Sequence, residues 1–192
     1  MAERGVSVDP STIYAWVQAF TPHFIAAART HRLPLGGRWR VDEPYLKIGG
    51  RQRYLVGALD EHGQIIDVFL SDRRDAAAAR AFFARALDAS GVWPTCVTTD
   101  KAKCYPPALR AVLPGTQHRC STYLNNGLER DHQHLKGRIR SLRRFKVTPN
   151  ASIFCRGHSL IRNLARGFSQ LTAGIVPQLR LATAWAALAA IL

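Results

Sequence analysis

The sequence predicts an α/β fold in which a mixed, five-stranded sheet is flanked by helices. Three β-prone segments come first along the chain, and helical and β-prone segments then alternate. The 192 residues are 47% hydrophobic, which is enough to bury one sizeable core. The longest apolar run, residues 181–192, falls short of the ~20 residues that a membrane helix requires. These observations predict a globular domain without a membrane span.

The N-terminal residues 5–20 have the pattern of a turn that leads into a helix, because Asp9 can cap the helix and apolar residues follow at helical spacing. One interpretation is the second helix of a helix-turn-helix, with Ser11, Thr12 and Tyr14 at the end that meets the major groove of DNA. The alternative is an amphipathic helix that packs on the body of the protein, since no partner helix precedes it in this sequence.

Residues 21–37 are predicted to be a linker, since they contain two prolines, two glycines and several basic residues. A domain boundary near Gly37 follows from this composition. The predicted organisation is a partial helix-turn-helix with its linker at 1–37, an α/β core at 38–170 and a C-terminal helix at 171–192.

The first three strands are predicted at residues 39–42, 53–59 and 65–70. Residues 60–63, with the sequence Asp-Glu-His-Gly, form a good hairpin turn between the second and third of them. Three antiparallel strands are the simplest arrangement of these segments.

An Ala-rich helix follows, which Asp75 can cap and which ends at Gly91. Residues 96–99 form a short apolar strand that ends on Asp100. A helix flanked by prolines, a strand near Gln117 and a helix from about residue 125 to 142 complete the core. The order β-β-β-α-β-α-β-α is that of a ribonuclease-H-like domain with a mixed sheet.

Two acidic residues lie at the ends of predicted strands. Asp42 ends the first strand and Asp100 ends the fourth. If these strands are parallel neighbours, both carboxylates emerge at the same edge of the sheet, where the sites of open α/β sheets are found. The pair is therefore a candidate site.

The helix predicted after residue 125 supplies a third acid. Glu129 and Lys136 lie about two turns apart on one flank of this helix, whereas Asp131 lies on the opposite flank near Arg138. Glu129 is therefore the preferred third carboxylate, and Asp131 is assigned to a surface ion pair. The buried stripe of this helix is predicted to consist of Leu128, Leu135, Ile139 and Leu142.

The positive charge is concentrated in the second part of the chain. Beyond Asp100 there are fifteen Lys and Arg but only two carboxylates, Glu129 and Asp131, whereas the first hundred residues are nearly balanced. This distribution predicts a polyanionic partner such as DNA, and a solvated basic face is the alternative. The predicted phosphate contacts are Lys101, Arg130, His132, His134, Lys136, Arg138, Arg140, Arg143 and Arg144.

Three carboxylates suit a hard divalent cation. Asp42, Asp100 and Glu129 would provide oxygen ligands for two Mg²⁺ or Mn²⁺ ions, and Lys136 would hold the DNA strand.

The four cysteines are widely spaced and include no C-x-x-C pair, which indicates reduced cytosolic thiols rather than a disulfide framework or a zinc knuckle. A mixed metal site of His118, Cys120, His132 and His134 fits no common ligand spacing.

Several sequence blocks resemble those of bacterial DDE transposases of the insertion-sequence-six family. The resemblance runs from about residue 3 to residue 168, and its blocks are residues 11–17, 39–43, 71–76, 98–101 and 123–132. It implies an integrase-like ribonuclease H core, which is also the fold of the retroviral integrases. It also places Asp42, Asp100 and Glu129 on the catalytic triad of the family and Lys136 on the basic residue two turns beyond the Glu.

The activity implied by this resemblance is cleavage at the ends of an insertion sequence, followed by attack of the freed 3′-hydroxyl on target DNA. The implied partners are the terminal inverted repeats and target DNA, both double-stranded, and further copies of the chain in a dimer or higher synaptic oligomer. The expected location is the nucleoid in the bacterial cytoplasm.

The sequence departs from the family pattern in two respects. Only twenty-eight residues separate Asp100 from Glu129, which is shorter than the usual interval and resembles a shorter subgroup. The chain also begins at what looks like the last helix of a helix-turn-helix. A truncated, non-catalytic DNA-binding or dimer-poisoning remnant is therefore the alternative function, and a structure-selective nuclease of the same fold is a third.

Overall fold

The protein is described by a computed structural model that covers residues 5, 7–121, 135, 137–139 and 145–192. Within these ranges the chain alternates strands and helices in the predicted α/β manner. The strands are β1 (Arg38–Asp42), β2 (Tyr45–Ile48), β3 (Arg51–Leu59), β4 (Ile65–Ser71), β5 (Cys96–Thr99) and β6 (Gln117–Cys120). The helices are α1 (Pro10–Arg29), α2 (Ala76–Ser90), α3 (Tyr105–Val112), α4 (Thr148–Arg166) and α5 (Pro177–Ile191), with a short 3₁₀ turn at Gln170–Thr172.

The strands form one mixed sheet in the order β2-β3-β1-β5-β6, with β4 on the other side of β3. β3 is antiparallel to β1, β2 and β4, whereas β1, β5 and β6 run parallel to one another. The prediction of three antiparallel strands in a mixed sheet is confirmed.

The sheet has six strands rather than the predicted five, because β2 was not predicted. β2 is only four residues long and pairs with the first half of β3, while β1 pairs with the second half. Pro44, which has no N–H to donate to a ladder, lies between β1 and β2. Gly49 and Gly50 join β2 to β3 with φ values of 55° and 79°, the left-handed conformation that a two-residue hairpin turn requires.

The sheet carries a hydrophobic cluster on each face. Trp39, Val41 and Val97 pack with Phe82 and Phe83 of α2 on one face, since alternate residues of a strand point to opposite sides. The cluster on the other face joins strand residues to α4 and to two residues of the helix predicted after residue 125. Its members include Leu55, Leu70, Leu135, Ile139 and Cys155.

The burial of Leu135 and Ile139 agrees with the predicted apolar stripe of that helix, since both lie in helical conformation. Leu128 and Leu142, the other two predicted members of the stripe, lie outside the described residues. The predicted ends of α2 are confirmed as well. The Asp75 side chain accepts a hydrogen bond from Ala78 N at 2.8 Å, and Gly91 ends the helix with a φ of 65°.

The linker prediction for residues 21–37 is wrong over its first half, because α1 continues through Pro22 to Arg29. Tertiary packing offsets the backbone hydrogen bond that a proline removes from a helix interior. Phe24 stacks on Trp185 of α5 with 4.2 Å between the ring centroids. A Cβ on Gly157 of α4 would lie only 2.8 Å from Thr21, so these two helices approach closely.

The C-terminal residues form the predicted helix, α5. Ala184 and Leu188 of α5 are buried together with Ala28 of α1 and Leu164 of α4. None of the helices in the described ranges combines the length and the hydropathy that crossing a membrane requires.

Candidate active site

The two strand-end aspartates lie at the same edge of the sheet. β1 and β5 are parallel neighbours, with Arg38 opposite Cys96 and Arg40 opposite Thr98. Continuing this register by two residues brings Asp42 level with Asp100. Because adjacent strands are about 5 Å apart and paired residues of parallel strands point to the same face, this register places the two residues side by side at one edge of the sheet. The condition on which the prediction depended, that β1 and β5 are parallel neighbours, is therefore confirmed, and the meeting of the two carboxylates stays a prediction.

The carboxylate of Asp100 is held by two donors. Its Oδ1 accepts a hydrogen bond from Ala102 N at 2.9 Å, and its Oδ2 accepts one from the guanidinium of Arg74 at 2.8 Å. The side chain is still 32% exposed, so solvent and ions can reach it. Asp100 thus combines a fixed orientation with access from outside.

Glu43 lies directly after Asp42 and faces inward. Its side chain is only 3% exposed, and its Oε2 accepts hydrogen bonds from Arg74 Nε at 3.1 Å and from the hydroxyl of Tyr105 at 3.0 Å. Burial raises the pKa of Glu43, and the hydrogen bonds from Arg74 and Tyr105 partly offset that rise. Burial also raises the pKa of Tyr105, so its hydroxyl remains protonated and available as a donor.

Arg74 therefore joins the two acids, because one guanidinium binds both Glu43 and Asp100. Its planar fork can serve two carboxylates at once, which a lysine ammonium does less well. The cluster of Glu43, Arg74, Asp100 and Tyr105 was missed in the sequence analysis, although the first three lie in the blocks that carry the family resemblance. Sequence separations of 31 residues between Arg74 and Glu43, and of 62 between Tyr105 and Glu43, conceal the contacts.

Most of the other predicted site residues lie outside the described residues. These are Glu129, Arg130, His132, His134, Lys136, Arg140, Arg143 and Arg144. Lys101 and Arg138 are described and exposed, as a phosphate contact must be. The roles of all of them stay predictions.

The predicted DNA contacts of α1 lie in its first turns. The Asp9 carboxylate accepts a hydrogen bond from Ser11 N at 2.8 Å, which confirms the predicted cap. The Tyr14 hydroxyl accepts one from Asn150 Nδ2 of α4 at 2.7 Å. These contacts favour the interpretation of α1 as a helix that packs on the body, while Ser11 and Tyr14 remain exposed and Thr12 is partly buried.

The side chain of His118 in β6 contacts other residues of the sheet. Its Nε2 lies 2.9 Å from Thr99 Oγ1 and 3.9 Å from Cys120 Sγ, and burial lowers its pKa. No group of three His, Cys, Asp or Glu residues with metal-binding geometry occurs within the part of the chain that the structure describes. Asp42 and Asp100 supply two hard oxygen ligands of the kind that Mg²⁺ and Mn²⁺ prefer. The edge thus fits such an ion if a further ligand comes from another segment.

Family comparison matches residues 36–168 to the family described as DDE domain. The chain is 37% identical over 143 residues to the transposase for insertion sequence-like element IS431mec of Staphylococcus aureus, which covers 72% of this chain and 63% of that protein. It is also 37% identical over 140 residues to the Staphylococcus aureus transposase for insertion sequence element IS257 in transposon Tn4003, covering 70% and 62%. The chain therefore spans less than two thirds of the length of these relatives.

Two solved structures with the same fold come from viruses. A chain of the simian T-cell lymphotropic virus intasome matches with a TM-score of 0.52 at 12% identity, covering 79% of this chain and 59% of that chain. The dimeric form of the HTLV-2 integrase catalytic core domain, in complex with magnesium, matches with a TM-score of 0.50 at 13% identity, covering 78% and 98%. At such identities the similarity shows the fold alone, and it confirms the predicted ribonuclease-H-like, integrase-like class.

Proposed function

Because the chain belongs to the DDE domain family of insertion-sequence transposases, we propose that it cleaves DNA strands at the ends of an insertion sequence and transfers them to target DNA. The observation that carries this proposal is the placement of Asp42 and Asp100 on neighbouring parallel strands. Both are acids at the edge of the sheet where a phosphate backbone can approach.

We assign the metal ligands to Asp42, Asp100 and Glu129. The described pair supports this assignment through its hard oxygen atoms and the exposure of Asp100. Two bound Mg²⁺ or Mn²⁺ ions would activate the attacking oxygen and stabilise the leaving one. The protein itself orients the Asp100 carboxylate through Ala102 N and Arg74.

The DNA surface in this proposal is the basic second part of the chain. Lys101 lies next to Asp100 and is exposed, which suits a phosphate contact beside the reacting bond. Two kinds of duplex, the element ends and the target, must meet at the acids, and we propose that two or more copies of the chain bring them together.

The test is strand transfer of a labelled duplex that carries an end of the surrounding element. The purified full chain is expected to join this end to a plasmid with Mg²⁺ or Mn²⁺, and EDTA is expected to stop the reaction. DNA binding without cleavage or joining in any of these ions would instead identify the non-catalytic remnant.

Replacing Lys136 with alanine is expected to weaken DNA binding by a similar factor on unrelated sequences. A lysine that contacts phosphate releases about one counterion, so the slope of log affinity against log salt should become shallower by about 1. Fluorescence anisotropy at several salt concentrations measures both quantities. Arg80→Ala, at an exposed position of α2 in the charge-balanced part of the chain, is the control. A loss confined to one DNA sequence would contradict the assignment of Lys136 to the phosphate backbone.

A further inference from the structure

Arg74 occupies a position between two acids that differ in their surroundings. Its Nε lies 3.1 Å from Glu43 Oε2, and its terminal nitrogen lies 2.8 Å from Asp100 Oδ2. Glu43 is buried with 3% of its side chain exposed, whereas Asp100 is 32% exposed. The Arg74 guanidinium therefore pairs with one buried carboxylate and with one carboxylate that solvent can reach.

Glu43 is the more firmly held of the two. Its second donor, the Tyr105 hydroxyl, belongs to a side chain that is itself buried in the core beneath the sheet. A buried carboxylate interacts strongly with a nearby cation because little water screens the pair, and losing that cation would leave a costly uncompensated charge. Arg74 is thus expected to stay with Glu43 whatever happens at Asp100.

Of the two ion pairs that Arg74 makes, the pair with Asp100 is the one that can break. Its ion pair with Arg74 is partly exposed and correspondingly weak, since water and salt screen it. Its other oxygen keeps the hydrogen bond from Ala102 N, which preserves the orientation of the carboxylate if the guanidinium leaves. A divalent cation bound to Asp100 would repel the guanidinium and would compete with it for the carboxylate.

We propose that Arg74 is a positioning residue that occupies Asp100 until a divalent cation displaces it, and that Glu43 is the anchor that retains the guanidinium when Asp100 is released. This inference rests on the proposed function, in which Asp100 is a metal ligand. Arg74 keeps the Asp100 carboxylate in its orientation before a metal ion binds. Glu43 attracts the Arg74 guanidinium and so weakens its competition with the metal ion for Asp100. Glu43 therefore acts on the metal through Arg74.

A titration of the 192-residue chain with Mn²⁺ in the absence of DNA tests this arrangement. The electron paramagnetic resonance signal of the free ion measures how much Mn²⁺ is bound. Arg74→Gln is expected to tighten Mn²⁺ binding about threefold to tenfold, within the range of coupling between residues in contact. Glu43→Gln is expected to weaken it by about the same factor, because Arg74 then pairs with Asp100 alone. In the double variant, Glu43→Gln should have less than about a third of its effect in the single variant.

Two results would overturn the inference. If Arg74→Gln leaves the affinity for Mn²⁺ unchanged or lowers it, Arg74 does not compete for Asp100. If Glu43→Gln weakens binding by the same factor with and without Arg74, Glu43 acts independently and is no anchor. The Arg74→Gln result decides alone if circular dichroism shows that Glu43→Gln does not fold.

Arg85→Gln is the matched control, since it removes an arginine of similar exposure from another arginine–aspartate pair, Arg85–Asp67, and should leave Mn²⁺ binding unchanged. Asp100→Asn in the same titration separates the two levels of the hypothesis. Unchanged Mn²⁺ affinity in Asp100→Asn would reject the metal site of the proposed function. The other result is that Asp100→Asn lowers the Mn²⁺ affinity while Glu43→Gln has equal effects with and without Arg74. That result would reject only the role of Arg74 and Glu43 and would leave the metal site in place.

Discussion

Asp100→Asn is expected to lower the rate of strand transfer at least about 100-fold, which corresponds to about 2.7 kcal/mol of transition-state stabilisation. The amide has nearly the shape of the carboxylate, and its single carbonyl oxygen can still accept the hydrogen bond from Ala102 N, whereas the NH2 group that replaces the other oxygen cannot accept from Arg74. It lacks the negative charge that a hard divalent cation requires of its ligand. The rate is measured as joining of a labelled DNA end to a plasmid in Mg²⁺.

DNA binding of Asp100→Asn in the absence of divalent ions should equal that of the unaltered protein, because the basic residues are untouched. Asp88→Asn is the matched control, since Asp88 is an exposed aspartate at the end of α2 that pairs with Arg29. It should transfer strands at the normal rate. Normal transfer by Asp100→Asn would remove this residue from the reaction and with it the proposed site.

Trp39→Ala is expected to lower the free energy of unfolding by about 3–5 kcal/mol, as other large aromatic truncations in a core do. Trp39 is fully buried near the start of β1, where it packs against residues of α2 and the neighbouring strands. Its Nε1 also donates a hydrogen bond to Gly36 O at 3.1 Å. Because β1 ends on Asp42, a protein that loses this anchor also loses the support of its first predicted metal ligand.

Urea unfolding followed by circular dichroism measures this change. Trp93→Ala provides the comparison within one residue type, since Trp93 is 50% exposed in the connection before β5. It should shift the free energy of unfolding by no more than about 0.5 kcal/mol, the usual range for surface substitutions. Equal effects of the two substitutions would contradict the burial described for Trp39.

The sequence predicted the parts of this molecule that depend on local chemistry. The Asp75 cap, the Gly91 terminus of α2 and the strand before Asp100 follow from capping, left-handed φ and apolar patterning within a few residues. The placement of Asp42 and Asp100 at one edge of the sheet required one further assumption, that their strands are parallel neighbours, and the register of β1 with β5 confirms that assumption.

The missed features depend on contacts between distant residues. Pro22 favours a break in a helix, but packing of α1 on α4 and α5 overrides that preference. Arg74 contacts both Glu43 and Asp100, and Tyr105 contacts Glu43, although these residues lie far apart in the sequence. No periodic pattern in the sequence predicts such contacts. Glu129 was chosen over Asp131 by helical geometry and by the family resemblance, and its place beside the two aspartates stays a prediction.

The two ends of the span that contains Glu129 are each tied to the sheet by the backbone. Ser121 N donates to Thr99 O at 3.0 Å, and Gly49 N donates to Phe145 O at 2.8 Å. With both attachment points secured, the two ends of this span keep fixed places on the sheet that presents the first two acids.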